Sequence, residues 1–193
     1  PTHLPIVGNV PLGDVYERLN ASFSSTTGAA TATGSITQLA QGATSNSSLV
    51  VGLNTSVAGP RTGTATLGLQ SDGTGTSGLA ALGLPSQAVT VSGTVFRFAQ
   101  PNTIAPIDFG NVLTGSNQSR TVTISNLAAI DGFSETLNAS FGALGGANPG
   151  SFSTAGSILR LAAGATDNTS MLVTLNTSTA GSATATAQIL LAS

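Results

Sequence analysis

The chain has 193 residues and a net charge of −2, with charged residues at only 6%, five arginines, no lysine, one histidine and no cysteine. This composition excludes disulfides, thiolate metal sites and Lys–Asn isopeptide cross-links, and its scattered arginines do not make a nucleic-acid surface. A mean hydropathy of +0.30 argues against disorder, and Ser and Thr at about a quarter of the residues, with 24 Gly, favour sheet over helix. No apolar run is long enough for a membrane-spanning helix. The chain opens on Pro1 rather than Met, which reads as a processed form or a piece of a longer protein.

In chain order, Leu4, Ile6, Gly8, Val10 and Leu12 alternate with His3, Pro5, Val7, Asn9 and Pro11, and this spacing predicts a strand. Pro5 and Pro11 remove donors from one side and leave the other free to pair, as in an edge strand or one inserted into a partner. The segment reads as the first strand of its own domain, aligned with Ile107–Val112 through Gly8-Asn-Val10 and Gly110-Asn-Val112, as a donor strand entering a neighbouring subunit, or as a disordered tail. Leu19, Ala21 and Phe23 predict the next strand. Leu19-Asn-Ala-Ser-Phe23 recurs as Leu137-Asn-Ala-Ser-Phe141 at an offset of 118, and Glu17 recurs as Glu135.

Residues 34–69 recur at 156–191 without a gap, at an offset of 122 and with 21 of 36 positions identical. A repeat of this length predicts two small domains, here 1–100 and 101–193, separated near the prolines Pro101 and Pro106. Leu49, Val51 and Leu53, then Ala65, Leu67 and Leu69, alternate as buried strand faces do, and so do their counterparts Met171, Val173, Leu175, Ala187, Ile189 and Leu191. Val89 and Val91 before Gly93 differ in parity from Phe96 and Phe98 after it, the pattern of a β-bulge. Val122 and Ile124 mark a strand with no evident counterpart in copy 1, because the Gly-Asn-Val match has an offset of only 102. Copy 1 is therefore expected to lack that strand. Copy 2 is expected to lack its last strand, because it stops short of a segment like Ala88–Phe98. The fold class is all-β, two tandem Ig-like β-sandwich domains.

Asp108-Phe-Gly-Asn-Val112, Gly115 and Thr121-Val-Thr-Ile-Ser-Asn126 resemble the opening of bacterial choice-of-anchor D repeats, which are Ig-like and related in style to hydin-type domains. Leu-Asn-Ala-Ser-Phe, Ala-Gly-Ala-Thr and Ser71-Asp-Gly-Thr-Gly-Thr-Ser-Gly-Leu79 look like later parts of such repeats, so the resemblance covers nearly the whole chain. It implies an exported or surface-anchored bacterial protein of tandem sandwiches with no known catalytic residues. Copy 1 departs from the pattern where Thr121–Asn126 finds no match.

Chemistry-bearing motifs are few. Gly73-Thr-Gly75-Thr-Ser-Gly78 has the letters of a dinucleotide fingerprint, but Gly83 and Pro85 allow no helix to follow, so it reads as an inter-strand loop. Asp72 beside it lacks the further carboxylates that calcium requires. His3 has no evident partner, and no Ser lies in a nucleophile elbow. Glu17 and Glu135 are repeat equivalents, and Asp14 and Asp131 nearly so, which suits structural positions better than a glycosidase pair. Asn-x-Ser/Thr sequons occur at Asn20, Asn46, Asn54, Asn117, Asn138, Asn168 and Asn176.

The expected function is a structural subunit of an extracellular bacterial surface filament, polymerising head to tail by β-strand donation. Its partners would be copies of itself, and Leu4, Ile6, Gly8, Val10 and Leu12 would form the donor interface. No enzymatic activity, cofactor, metal or nucleic-acid partner is expected. One alternative is a piece of a long tandem-repeat surface protein, a stalk or adhesin passenger without polymerisation of its own. A carbohydrate-binding module is the weaker alternative, since Tyr16 is the only Tyr and Trp is absent. Contact with a glycan or a host surface is left open.

Overall fold

The structure, a computed structural model, describes residues 2–8 and 16–193. Among them the regular structure is antiparallel sheet, with a single 3-10 turn at Pro149–Ser151 and no α-helix. The chain divides into two compact units, Pro1–Val95 and Phe96–Ser193.

The first unit contains β1 (Thr2–His3), β2 (Ile6–Val7), β3 (Arg18–Gly28), β4 (Ala30–Thr33), β5 (Ser35–Leu39), β6 (Thr44–Ser45), β7 (Val50–Leu53), β8 (Gly59–Asp72) and β9 (Leu82–Val95). They form sheets in the orders β5-β3-β8-β9, β1-β7-β4 and β2-β6. Ala21 of β3, Ile36 of β5, Leu67 of β8 and Leu49, just before β7, are buried together, with Phe23 and Leu69 against them. Burying each such large apolar side chain contributes about 1.5–3 kcal/mol.

Gly93 does not mark a bulge. The β8–β9 register runs unbroken from Gly59 opposite Val95 to Leu67 opposite Gln87, and the shift comes later, between Leu67 and Leu69. It falls around Pro85, which has no N–H to give to a ladder. Gly93 serves a different purpose, since a Cβ there would lie 2.9 Å from Leu53 Cδ2. The apparent parity change arises because Phe96 and Phe98 belong to the second unit. There Phe96 packs on Phe133 with ring centroids 6.1 Å apart, and Arg97 N–H donates to Phe133 O at 2.9 Å. The unit boundary thus lies a few residues before the proline-marked connector.

The second unit contains β10 (Gln118–Thr121), β11 (Ile124–Ser125), β12 (Leu137–Gly145), β13 (Phe152–Ala155), β14 (Ser157–Leu161), β15 (Thr166–Asp167), β16 (Leu172–Leu175) and β17 (Thr186–Ala192). Its sheets are ordered β14-β12-β17, β10-β16-β13 and β11-β15. Val122, Ile124, Leu137, Ile158, Met171 and Val173 form its buried core between the two larger sheets, a sandwich-like arrangement. Of the alternating residues singled out in the repeat, Leu49, Val51, Met171, Val173 and Leu175 are buried, while Leu53 is half-buried.

The strand expected to be missing from copy 1 is present. In the second unit Arg120 opposes Val173 and Ile124 opposes Asp167; in the first, Thr2 opposes Val51 and Ile6 opposes Ser45. Val122 N–H donates to Met171 O at 2.9 Å, and Leu4 N–H donates to Leu49 O at 3.1 Å. Asn126 N–H donates to Ala165 O and Gly8 N–H to Ala43 O, both at 3.0 Å. Thr2–Gly8 is therefore the counterpart of Arg120–Asn126, at the same offset of 118 that Leu-Asn-Ala-Ser-Phe carries. It is not the counterpart of Ile107–Val112. A strand's place is set by apolar alternation, and Leu4 and Ile6 alternate as Val122 and Ile124 do. Gly8-Asn-Val10 and Gly110-Asn-Val112 match in letters alone.

Candidate functional site

The N-terminal strand is seated in its own unit. Leu4 and Ile6 are half-buried against the core cluster of Ala21, Ile36, Leu49 and Leu67. Gly8 is buried where backbones approach closely, and a Cβ there would lie 2.6 Å from Ala40 O. Val10 and Leu12, and with them Asp14, lie outside the described residues. His3 opposes Val50 on the sheet and is exposed.

The second candidate is the free edge of β17. In the first unit β8 lies between β3 and β9 and opposes β9 at twelve residue pairs. β17 is its counterpart: Phe141 opposes Ile189 as Phe23 opposes Leu67, and Ala139 opposes Leu191 as Ala21 opposes Leu69. Among the described residues, no strand pairs with the other edge of β17. Burial follows from that. Leu67 is 1% exposed and Ala65 fully buried, whereas Ile189 and Ala187 are only half-buried and Leu191 is 40% exposed. β8 holds strand geometry for 14 residues and β17 for seven; residues 181–185, matching the start of β8, form no strand. Beside them lies an open trough of about 1430 Å³, walled by Ile107, Phe109, Phe141, Phe152, Leu175 and Ile189. Asp108 is the one charged residue in its lining.

The acidic residues recur as structural contacts. Glu17 accepts hydrogen bonds from the hydroxyls of Ser71 at 2.5 Å and Ser77 at 2.7 Å. Glu135 accepts one at 2.7 Å from Ser193, the counterpart of Ser71. Those hydroxyls hold the Glu17 carboxyl below its ordinary value. Asp72 is brought down to about 2 by the backbone N–H and hydroxyl of Thr74, then by the side-chain amides of Asn20 and Gln38. The Arg97 guanidinium, 2.6 Å away, lowers Asp131, and the Ser170 hydroxyl and N–H lower Asp167. A general acid at neutral pH requires a raised carboxyl pKa. These groups are shifted the opposite way.

The recurring Asn of Leu-Asn-Ala-Ser-Phe also has a structural task. Asn20 Oδ1 accepts the Gln38 N–H at 2.7 Å, and Asn138 Oδ1 accepts the Arg160 N–H at 2.8 Å. Gln38 and Arg160 both have φ of +56°, where a non-glycine residue pays about 1–2 kcal/mol. The Asn side chain holds that kink in each unit. In Asn20 the Nδ2 that a glycan would occupy donates to Asp72 Oδ2 at 2.7 Å. Gly73–Gly78 forms the turn between β8 and β9, with Gly78 N–H donating to Gly73 O at 2.8 Å, and no helix follows.

One residue that the sequence motif contains, but whose role it did not disclose, is Asn126. Its side chain is fully buried. Oδ1 accepts the N–H groups of Gln100 and Ala128, and Nδ2 donates to the carbonyls of Glu135 and Leu161. The available signal was an Asn directly after an alternating strand, a position suited to satisfying turn backbone. Among the described residues, no three of His, Cys, Asp and Glu are grouped as a metal site would require. No helix there is long and apolar enough to cross a membrane. Comparison with protein-family models, with curated proteins and with solved structures finds no match.

Proposed function

We propose that the chain is a non-enzymatic structural subunit of an extracellular bacterial surface filament, built of two Ig-like sandwich domains and joined head to tail by β-strand complementation. The observation that carries this reading is the contrast between β8, covered by β9, and β17, whose matching edge has no partner strand among the described residues. An uncovered edge beside a trough with Ile107, Phe109, Phe141 and Ile189 in its wall is a template for strand addition. A heterologous contact of that kind propagates when its rotation does not close a ring. The low charge, the Ser/Thr-rich composition and the likeness to choice-of-anchor D motifs support an exported bacterial setting.

In this reading β17 is the receiving edge. The segment carrying Leu4, Ile6 and Gly8 can act as donor only by leaving its seat in its own unit, as in a domain swap. That seat favours a second reading, in which the chain is a stretch of a long tandem-repeat stalk or adhesin passenger and does not polymerise. Light scattering on the purified chain across a concentration series, with negative-stain electron microscopy, separates the two. Filaments or concentration-dependent oligomers are expected from the first reading. A folded monomer at high concentration would sink it and leave the stalk.

A further inference from the structure

We infer that the free edge of β17 takes an antiparallel strand of the β9 kind, in the register that β9 keeps on β8. This rests on the strand-complementation reading and adds to it the chemistry and alignment of the incoming strand. The template lies within the same chain. In the first unit Leu67 opposes Gln87, Ala65 opposes Val89, Gly63 opposes Val91, Arg61 opposes Gly93 and Gly59 opposes Val95. The repeat carries β8 onto β17 without a gap at an offset of 122. The incoming strand therefore sets its first valine opposite Ala187, its second opposite Ala185 and a glycine opposite Ala183.

The side chains fit that placement. Val89, Val91 and Val95 are half-buried on the core-facing side of β9, while Thr90, Ser92 and Thr94 are exposed. The occupant thus has a Val-x-Val-x-Gly-x-Val inner row. Ala183, Ala185 and Ala187 are small and half-buried, which leaves room beside them for the valines. The glycine is the selective position. In the first unit it lets Leu53 lie against the strand, and the counterpart of Leu53 in the second unit is Leu175, in the trough wall. Residues 86–95 carry no charge, which suits a trough with Asp108 as its one charged lining residue. The trough and the unpaired edge are thus two sides of one space that a single extended strand fills, its backbone completing the ladder and its valines covering the apolar side chains of the mixed wall.

The test uses the full chain and a labelled peptide with the sequence of residues 86–95, followed by fluorescence anisotropy and by hydrogen exchange over residues 183–192. Saturable one-to-one binding is expected, with exchange in that stretch slowed about tenfold or more and β8 unchanged. Peptides carrying Val91→Asp or Gly93→Val are expected to bind at least about tenfold more weakly, because one buries a charge and the other meets Leu175. Absence of binding, equal binding of the Val91→Asp peptide, or protection changes confined to the first unit would overturn the inference. Tighter binding at β17 by a peptide of residues 2–12, or edge-to-edge dimers of the chain that exclude the 86–95 peptide, would also overturn it while sparing self-assembly. Binding as expected to a chain that stays monomeric at every concentration would uphold the inference and sink the filament.

Discussion

β8 and β17 begin from closely related sequences and end in different environments. Both lie against a Leu-Asn-Ala-Ser-Phe strand in the same register, and both present a small-to-large apolar row to a core. Among the described residues, only β8 has a strand on its far side. With that strand the apolar row is sealed and the ladder extends through 14 residues; without it the row is half open and only seven remain in strand. The burial of a strand residue is therefore set by both of its neighbours, and a repeat that conserves one neighbour does not conserve the environment.

The largest expected effect tests this directly. Leu67→Ala removes a side chain that is 1% exposed and should destabilise the first unit by about 2–5 kcal/mol. Ile189→Ala, at the matching position, removes one that is half-buried and should cost roughly half as much or less. Urea denaturation followed by hydrogen exchange in each unit reads both. Equal losses would mean that the edge of β17 is already covered in solution. A second comparison exchanges the roles of the units. Asn126→Ala strips four backbone groups, one buried and three part-buried, of their partners and should cost the second unit about 3 kcal/mol. The first unit has Gly8 at that place and no such hub, so its exchange rates should stay as they are.

These pairs also show what could be read from the residues. Alternation placed Leu49, Val51, Met171 and Val173 in cores, because period two has one physical meaning when one face is buried. The shared offset across the long repeat gave the common register of β7 and β16. The counterpart of the N-terminal strand is hard to see in the letters, because Thr2–Gly8 and Arg120–Asn126 share only the Ile6–Ile124 identity and agree otherwise in parity alone. Gly83 and Pro85, which exclude a helix, lie inside strand β9; an edge strand tolerates them because its outer N–H groups need no ladder partner. The role of Asn126 depends on carbonyls from 9 and 35 residues away, which no local pattern encodes.

A smaller difference lies at the kink that both units share. Arg160→Gly should relieve the left-handed backbone and stabilise the second unit by up to about 1 kcal/mol. Gln38→Gly relieves the same strain but also removes the amide that donates to Asp72 at 2.6 Å, so the first unit should change by less than about 0.5 kcal/mol. Thermal melts of the two variants check the pair, and a matching gain in both would show that the Gln38–Asp72 bond contributes nothing in solution.

The smallest expected effect is the acid response of the first unit, centred on Asp72. Its carboxyl is lowered from 3.8 to about 2 by the Thr74 N–H and hydroxyl and by the Asn20 and Gln38 amides. Because the folded value lies below the unfolded one, the contribution is fully present above the unfolded value and is lost as pH falls through the folded one. The window is therefore between 3.8 and about 2, with no dependence on this group at neutral pH. The carboxyl is partly open to solvent, so screening keeps its share modest and salt should reduce it further. Asp72→Asn should flatten the first unit's stability across that window. It should leave the second unit's own acid response, which comes from Asp131 and Asp167, as it was. Hydrogen exchange at pH values spanning the window separates the two units. An unchanged slope in the first unit would show that the Asn20–Gln38–Asp72 cluster is open in solution, and with it the tie that holds the end of β8 to the kink at Gln38.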